Sequence, residues 1–285
     1  MGKITEALKR VTDDRVARIQ RKPETQYVVR KLEDTNIDAH IVSFHDSSSP
    51  IAEQYKIVRT NLQTLRAEKG YKSFALTSAI NGEGKTVTTL NLAISVAHDL
   101  DHKSVLLIDA DMRKGKLAQY LGIERSPGLS DVLKGEVQAE DIIVSPNIDN
   151  LSVIVSGKMP KNPAELLGSK KMKSLLTSLK NKFDYIFIDT PPVMPLTDAC
   201  TLGSLVDGVV LVIQASRTQR GVVKHALGRL YQAHAKTLGY IMTNIEYHLP
   251  HYLYRYVQEY GGYKYAYKDE DGNGGKKKKV SQVSR

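Results

Sequence analysis

From Ile51 onwards, short runs of apolar residues alternate with longer amphipathic stretches. Runs of this kind are typical of strands that are buried on both faces, as in parallel sheets covered by helices. The pattern therefore predicts an α/β fold with a doubly wound, mostly parallel sheet. The candidate strands are SFALTS (73–78), SVLLIDA (104–110), LSVIVS (151–156), YIFID (185–189), GVVLVIQA (208–215) and LGYIMTN (238–244).

One helix start is clear from the residue types in NPAELL (162–167). Asn162 can cap a helix, Pro163 suits its first turn, and Glu165 lies three residues after the cap. We therefore expect a helix to begin at Pro163.

The two ends of the chain lack this alternation. Residues 3–22 can form a basic amphipathic helix, which we expect to dock on a protein because its apolar face has no aromatic anchor for a membrane. Polar and turn-forming residues follow it. We divide the chain into an N-terminal helix and linker (1–50), a domain (51–246) and a flexible, tyrosine-rich and basic tail (247–285).

Composition and charge narrow the classes of protein that remain. The chain has 285 residues and 41% hydrophobic residues, which is enough for one large domain with tails. No run of about 18 apolar residues occurs, and the first twenty residues lack the apolar centre of a signal peptide, so we expect a cytoplasmic protein. The net charge of +10 suits an anionic partner, and the single cysteine excludes an intramolecular disulfide.

The loop after the first candidate strand carries the second half of a phosphate-binding P-loop. Glycines let backbone N–H groups approach phosphate oxygens, Lys85 balances their charge, and the Thr86 hydroxyl can reach Mg²⁺. The helix that follows directs its N-terminus at the same anion. Ala79 stands where the usual motif has its first glycine. The predicted nucleotide-binding residues of the loop are Asn81, Gly82, Glu83, Gly84, Lys85, Thr86 and Val87.

Carboxylates follow two other candidate strands. Asp109 ends the second strand, with Asp111 and Arg113 after it in the pattern D-x-D-x-R, and Asp189 ends the fourth. The carboxyl ends of parallel strands meet in the crevice where nucleotides bind, so these side chains are placed to hold Mg²⁺ and its waters.

These motifs together resemble the bacterial tyrosine kinases, which are P-loop proteins similar to the partition and cell-division ATPases. The residues that carry the resemblance are AINGEGKT as Walker A, LLIDADMR as Walker A′, IFIDTPP as Walker B, and the tyrosine cluster after the last strand. The resemblance implies a P-loop NTPase fold, the cofactors ATP and Mg²⁺, and autophosphorylation in trans. It covers roughly residues 51–267.

The resemblance also implies a role for each matched residue. Lys85 and Thr86 would hold phosphates and Mg²⁺, Asp111 and Asp189 would assist the metal, and Asp109 would accept the proton of an incoming tyrosine. Arg113 would steady the phosphates or orient Asp109, unless it forms a plain salt bridge. Asn244 would contact adenine or cap the turn after the last strand.

Two further sets of residues follow from the same resemblance. The family uses E-x-x-R-x-x-R for ring-like self-association, and the match here is Glu53, Lys56 and Arg59, in which lysine lacks the bidentate fork of arginine. A solvated helix face is the alternative for this set. The expected autophosphorylation sites are Tyr247, Tyr252, Tyr254, Tyr256, Tyr260, Tyr263, Tyr265 and Tyr267.

The partners that the resemblance implies belong to polysaccharide synthesis or export. They are a second copy of the chain, a separate transmembrane chain-length regulator that activates the kinase and recruits it to the inner face of the plasma membrane, and a phosphotyrosine phosphatase. The opening MGKITEALKR also resembles the exosortase-associated subgroup.

Two alternatives stay open at this stage. A partition- or division-type ATPase would act as a switch on membrane or DNA, but such proteins carry a signature lysine where this chain has Ile80, and they lack a tyrosine tail. A non-catalytic scaffold or DNA-binding protein would also suit the basic charge. No reading helix or patterned basic groove supports DNA, so we expect no nucleic-acid partner.

Overall fold

The computed structural model describes residues 30–32 and 36–245, and within them it contains one eight-stranded sheet in the order β1-β4-β5-β3-β6-β2-β7-β8. Every neighbouring pair is parallel except β4 and β5. All six predicted strands are present, so the α/β prediction is confirmed. The strands are β1 (Arg30–Lys31), β2 (Ser73–Ser78), β3 (Val105–Asp109), β4 (Val144–Ser145), β5 (Leu151–Ile154), β6 (Tyr185–Asp189), β7 (Gly208–Gln214) and β8 (Thr237–Thr243).

Helices cover both faces of the sheet, which is why the central strands read as continuous apolar runs. Every residue of β2, β3 and β6 is buried. The described α-helices are α1 (Val42–His45), α2 (Pro50–Lys69), α3 (Lys85–Ala97), α4 (Leu117–Leu121), α5 (Leu129–Lys134), α6 (Pro163–Leu167), α7 (Lys170–Lys182), α8 (Asp198–Gly203) and α9 (Arg220–Gln232), and Ala139–Ile142 forms a 3₁₀ turn.

The core has two halves, one on each face of the sheet. Apolar residues of α5 to α9 pack against one face, and those of α2, α3 and α4 pack against the other. The stacked rings of Phe74, Tyr185 and Phe187 lie in the second half.

The packed domain begins before Ile51. Ile37 and Ile41 are buried in the core beside α3, and the backbone N–H of Asp38 donates to the carbonyl of Tyr120 at 2.9 Å. The linker expected between the N-terminal helix and residue 51 therefore does not reach Ile51. Two isolated apolar residues among polar ones give no periodic signal, so the sequence did not reveal this contact.

The helix predicted at 162–167 begins at Pro163 as expected. Asn162 occupies the cap position, but its side chain donates to Glu165 at 2.7 Å and makes no cap bond to the backbone. Its carbonyl accepts from the N–H of Leu166 at 3.2 Å.

The sheet order brings three strand ends together. β6 lies between β2 and β3, with Asp109 in register with Asp189 and Leu76 of β2 also in register with Asp189. The loop after β2 therefore meets the carboxylates that end β3 and β6. No helix in the described part of the chain is both long enough and apolar enough to cross a membrane.

Candidate active site

The loop after β2 has the backbone of a phosphate cradle. Gly82 and Gly84 both adopt a left-handed conformation with φ of 83°, which glycine allows without steric cost. α3 begins at Lys85 directly after them. Ala79 is fully buried and is not among the described residues with positive φ, so alanine is tolerated where the usual motif has its first glycine.

Lys85, Thr86 and Asp189 form a closed hydrogen-bonded group at the start of α3. The Lys85 ammonium donates to Asp189 Oδ1 at 2.7 Å, and the Thr86 hydroxyl donates to Asp189 Oδ2 at 2.7 Å. Lys85 is 8% exposed and Asp189 is fully buried. Burial raises the pKa of Asp189, and the Lys85 charge opposes that shift. The structure thus brings together Lys85 and Thr86 of the predicted Walker A motif and Asp189 of the predicted Walker B motif.

Asp109 is fully buried beneath the loop that follows β3. Its two oxygens accept from the backbone N–H groups of Asp111 at 3.0 Å and Leu117 at 3.2 Å. Burial first, and then the neighbouring Asp189, raise the pKa of Asp109 to about 8. Asp111 is 7% exposed and lines the cavity beside the P-loop. Of these two carboxylates, Asp111 is the one that borders the cavity.

Arg113 points to a different partner from those expected. Its guanidinium lies 3.3 and 3.4 Å from the carboxylate oxygens of the buried Asp198, at the start of α8. The residues that line the phosphate cavity do not include Arg113. The plain salt bridge is the alternative that this geometry favours, because a fully buried carboxylate requires a compensating charge.

The buried side chain of Glu83 bonds to the backbone of the P-loop and of β7. Its side chain is 1% exposed and accepts from the backbone N–H groups of Ile80 at 2.7 Å and Gln214 at 3.2 Å. The Thr243 hydroxyl donates to the Glu83 carbonyl at 2.9 Å. The carboxylate of Glu83 therefore holds the loop to β7, and its backbone carbonyl holds the loop to β8.

Arg217 is a site residue that the sequence analysis missed. Its guanidinium donates to the carbonyls of Gly82 at 2.7 Å and Asn81 at 3.1 Å, and to the Gln214 side chain at 2.8 Å. A Cβ on Gly82 would lie 3.0 Å from this guanidinium. No motif in the sequence indicates this role, because Arg217 reaches the P-loop only through the pairing of β7 with β2.

A cavity of about 380 Å³ opens between these elements. Besides P-loop residues, its lining includes side chains that the sequence analysis did not assign to the site. The lining residues are Ser78, Asn81, Gly82, Glu83, Gly84, Lys85, Thr86, Val87, Asp111, Lys114, Lys116, Tyr120, Pro192 and Arg217.

The donor set of this cavity fits MgATP. The carboxyl groups of Asp109, Asp111 and Asp189 lie near the buried ammonium of Lys85, and a divalent cation would favour their ionised forms. Mg²⁺ prefers oxygen ligands and is usually held by one or two carboxylates together with substrate phosphates. No group of three or more His, Cys, Asp and Glu side chains arranged for a metal occurs among residues 30–32 and 36–245.

Asn244, Glu53, Lys56 and Arg59 are not among the residues that line this cavity. Asn244 is exposed, adopts φ of 52° and follows Thr243, which bonds to the P-loop. On α2, Lys56 pairs with Glu53 at 2.6 Å on the surface. Arg59 turns towards its own domain, where it donates to the Ser95 carbonyl at 2.8 Å and lies 3.6 Å from Asp99.

Some predictions fall outside the described residues. These are the helix over 3–22, with the MGKITEALKR opening, and all eight predicted autophosphorylation sites from Tyr247 to Tyr267. They stay predictions.

Comparison with known proteins finds relatives that are named tyrosine kinases. Residues 72–237 match the family model described as an AAA domain. Tyrosine-protein kinase YwqD of Bacillus subtilis is 37% identical over 215 residues, which cover 75% of this chain and 90% of that protein. The putative tyrosine-protein kinase EpsB of Ralstonia nicotianae is 34% identical over 217 residues, which cover 76% of this chain but 28% of that longer protein. The kinase domain of Escherichia coli tyrosine kinase ETK superposes with a TM-score of 0.70 at 27% identity, covering 74% of this chain and 82% of that one.

Proposed function

This chain belongs to the bacterial tyrosine-protein kinase family, and we propose that its cavity transfers the γ-phosphoryl group of MgATP to tyrosine hydroxyls. The observation that carries the proposal is the hydrogen-bonded group of Lys85, Thr86 and Asp189 beneath the P-loop. In it, one cation, one hydroxyl and one carboxylate are already held at the N-terminus of α3, where anions bind.

The P-loop residues bind and orient the phosphates. Backbone N–H groups from Gly82 to Thr86 line the cradle, and the Lys85 ammonium exchanges its bond to Asp189 for phosphate oxygens. Asp189, Asp111 and the Thr86 hydroxyl would hold Mg²⁺, which when bound supplies compensation for the phosphate charge. Because phosphoryl transfer passes through a loose transition state, positioning and charge compensation contribute most of the rate.

Asp109 is the proposed acceptor of the tyrosine proton. A phenol has a pKa near 10, so its proton needs a neighbouring base. With its pKa raised to about 8 by burial and by Asp189, Asp109 is mostly protonated at neutral pH in the state described. The positive charge of Lys85 lowers that pKa, so added positive charge in the site would favour the ionised form. Asp109 is fully buried, whereas Asp111 lines the cavity. Asp111 is therefore the carboxylate of this pair that borders the space where a substrate would bind.

The test is the Lys85→Met variant, with Lys173→Met on the exposed side of α7 as its control. Nucleotide binding is measured by fluorescence, and phosphotyrosine by mass spectrometry of MgATP-treated protein. We expect Lys85→Met to lose both signals and Lys173→Met to keep both. Undiminished phosphorylation in a folded Lys85→Met protein would refute the assignment.

We propose that the tyrosines from Tyr247 to Tyr267 are acceptors in trans. The segment follows β8 directly and alternates phenols with polar residues around Gly261 and Gly262, so different registers can enter one cleft. Each phosphate adds nearly two negative charges at pH 7. Serial phosphorylation would then repel neighbouring copies and couple the reaction to disassembly.

The assembly and partners belong to the same proposal. Glu53, Lys56 and Arg59 would lie in a contact between copies, although the inward bonds of Arg59 leave mainly the Glu53 and Lys56 pair on the surface. A transmembrane chain-length regulator would activate the kinase and recruit it to the membrane, and a phosphatase would reverse the reaction. EpsB is a longer protein, of which this chain covers 28%. EpsB therefore carries segments beyond the matched region.

The partition-type ATPase alternative receives less support. The relatives reported above are kinases by name, and Ile80 replaces the signature lysine. Adenine contact by Asn244 also stays a proposal. It rests on the bond from the adjacent Thr243 to the P-loop.

A further inference from the structure

Four residues that line the active-site cavity have no role in the phosphate chemistry above. They are Lys114, Lys116, Tyr120 and Pro192. We call these four residues the basic wall. They come from the loop after β3, from α4 and from the segment after β6.

The carboxylates of the site shape the loop that carries both lysines. Asp111 Oδ1 accepts from the N–H of Lys114 at 3.0 Å, and Asp109 Oδ2 accepts from the N–H of Leu117 at 3.2 Å. Between the lysines, Gly115 has φ of 40°, and a Cβ there would lie 2.2 Å from the Ser156 hydroxyl. The glycine therefore packs inward, while Lys114 and Lys116 are exposed on either side of it.

Neither lysine has an acidic partner among the described residues. Arg113, in the same loop, is paired with Asp198, but no ion pair involves Lys114 or Lys116 within the part of the chain that the structure describes. Two such cations in one short loop repel one another. Binding of a negatively charged group between them would remove that repulsion.

The other two members of the basic wall suit a phenol. Tyr120 is partly buried and Pro192 is buried, and both line the cavity, so each offers an apolar surface to an aromatic ring. Burial raises the pKa of the Tyr120 hydroxyl above its ordinary value. The ring therefore stays uncharged at neutral pH.

We propose that the basic wall is an acceptor subsite that selects tyrosines with an acidic residue beside them. The acceptor ring packs on Tyr120 and Pro192, and the neighbouring carboxylate lies between Lys114 and Lys116. This rests on the proposed function, whose acceptor it specifies.

The chain's own sequence contains tyrosines beside an acidic residue and tyrosines beside a basic residue. Glu246 precedes Tyr247 and Glu259 precedes Tyr260, whereas Arg255 lies between Tyr254 and Tyr256. The subsite predicts that Tyr247 and Tyr260 are phosphorylated before Tyr254 and Tyr256.

The experiment uses the full-length protein with MgATP and three peptides. They are residues 257–262 (VQEYGG) and the same peptide with Glu259→Gln or Glu259→Lys. The enzyme variants are Lys114→Glu with Lys116→Glu, and Lys173→Glu as a matched charge reversal on α7. For each combination of enzyme and peptide, kcat/KM for the peptide and KM for ATP are measured at about 0.05 and about 0.5 M NaCl. These concentrations lie on either side of physiological ionic strength.

We expect the unaltered protein to prefer the parent peptide over the Glu259→Lys peptide by about three- to tenfold at low salt, the range of two exposed charge pairs. High salt should reduce the preference, because it screens exposed charges. The double lysine variant should reverse the preference, and Lys173→Glu should leave it unchanged.

Two other outcomes have different meanings. If the double variant raises KM for ATP and leaves the peptide preference unchanged, the lysines bind nucleotide and the subsite is refuted. If the unaltered protein phosphorylates no peptide and none of its own tyrosines, the proposed kinase function fails as well.

Discussion

Removal of the Lys85 ammonium should destabilise the protein in a strongly pH-dependent way. The Lys85→Met variant leaves the fully buried Asp189 carboxylate without its cation, with hydroxyl bonds from Thr86 at 2.7 Å and Thr89 at 3.4 Å. Breaking a buried pair by removing one partner typically costs about 3–5 kcal/mol. The orphaned carboxylate can escape that cost by taking up a proton.

Proton uptake by Asp189 sets an upper limit to the stability that Lys85→Met loses. The ordinary carboxyl pKa is 3.8, and each pH unit above it costs about 1.4 kcal/mol of protonation free energy. The limit is then about 4 kcal/mol at pH 7 and about 1.6 kcal/mol at pH 5. In the variant the folded-state pKa of Asp189 rises further above the unfolded value, so the folded state binds the additional proton and regains stability as the pH falls.

Thermal unfolding without nucleotide tests this reasoning. At pH 7 the melting temperature of Lys85→Met should fall by roughly 5–15 °C, since 1 kcal/mol corresponds to about 2–4 °C in a domain of this size. At pH 5 the fall should be less than half as large. Adding Asp189→Asn to Lys85→Met should restore most of the loss at pH 7, because it removes the buried charge. Equal losses at both pH values, or a double variant no more stable than the single one, would refute the reasoning.

Three other changes have outcomes that follow from the contacts. Asp109→Asn should change the melting temperature of the nucleotide-free protein little near pH 4, raise it increasingly between pH 4 and pH 8, and keep that gain above pH 8: the folded pKa of about 8 lies above the unfolded value of 3.8, so the parent loses stability as pH rises through that window. A scan of melting temperature against pH checks this, and a constant difference would contradict it. Arg217→Met should raise KM for ATP severalfold with little change in unfolding temperature, because the guanidinium holds the exposed carbonyls of Asn81 and Gly82; an unchanged KM would show that the loop needs no such support. Arg59→Ala should lower stability by about 1 kcal/mol through the lost bond to Ser95, and light scattering shows whether assembly changes with it. If the particle mass falls while the melting temperature holds, Arg59 contacts a neighbouring copy instead.

The strands and the main motifs could be predicted from the sequence because each is a local pattern. A strand buried on both faces needs apolar residues at consecutive positions, and all six such runs are strands. The exception in burial is β8, which ends the sheet and is only partly buried. Gly82 and Gly84 were identifiable because a phosphate cradle needs left-handed backbone, and both have φ of 83°. Asp109 and Asp189 were identifiable because each ends a strand.

The partners of individual side chains were decided only by the tertiary structure. Arg113 and Asp198 are far apart in the sequence, and their pairing depends on α8 packing beside the loop after β3. Arg217 reaches the P-loop because β7 lies next to β2. A charged side chain finds its partner through the three-dimensional order of the strands, and no local pattern encodes that order.

Burial likewise depended on the assembled sheet. The sequence places two carboxylates at strand ends, but the raised pKa of Asp109 requires that β3 and β6 be neighbours with Asp109 opposite Asp189. The sequence by itself determined which residues this protein can use for phosphate and metal chemistry, since that depends on residue type. Only the tertiary structure decided which of them face the cavity, because orientation follows from how helices and strands pack.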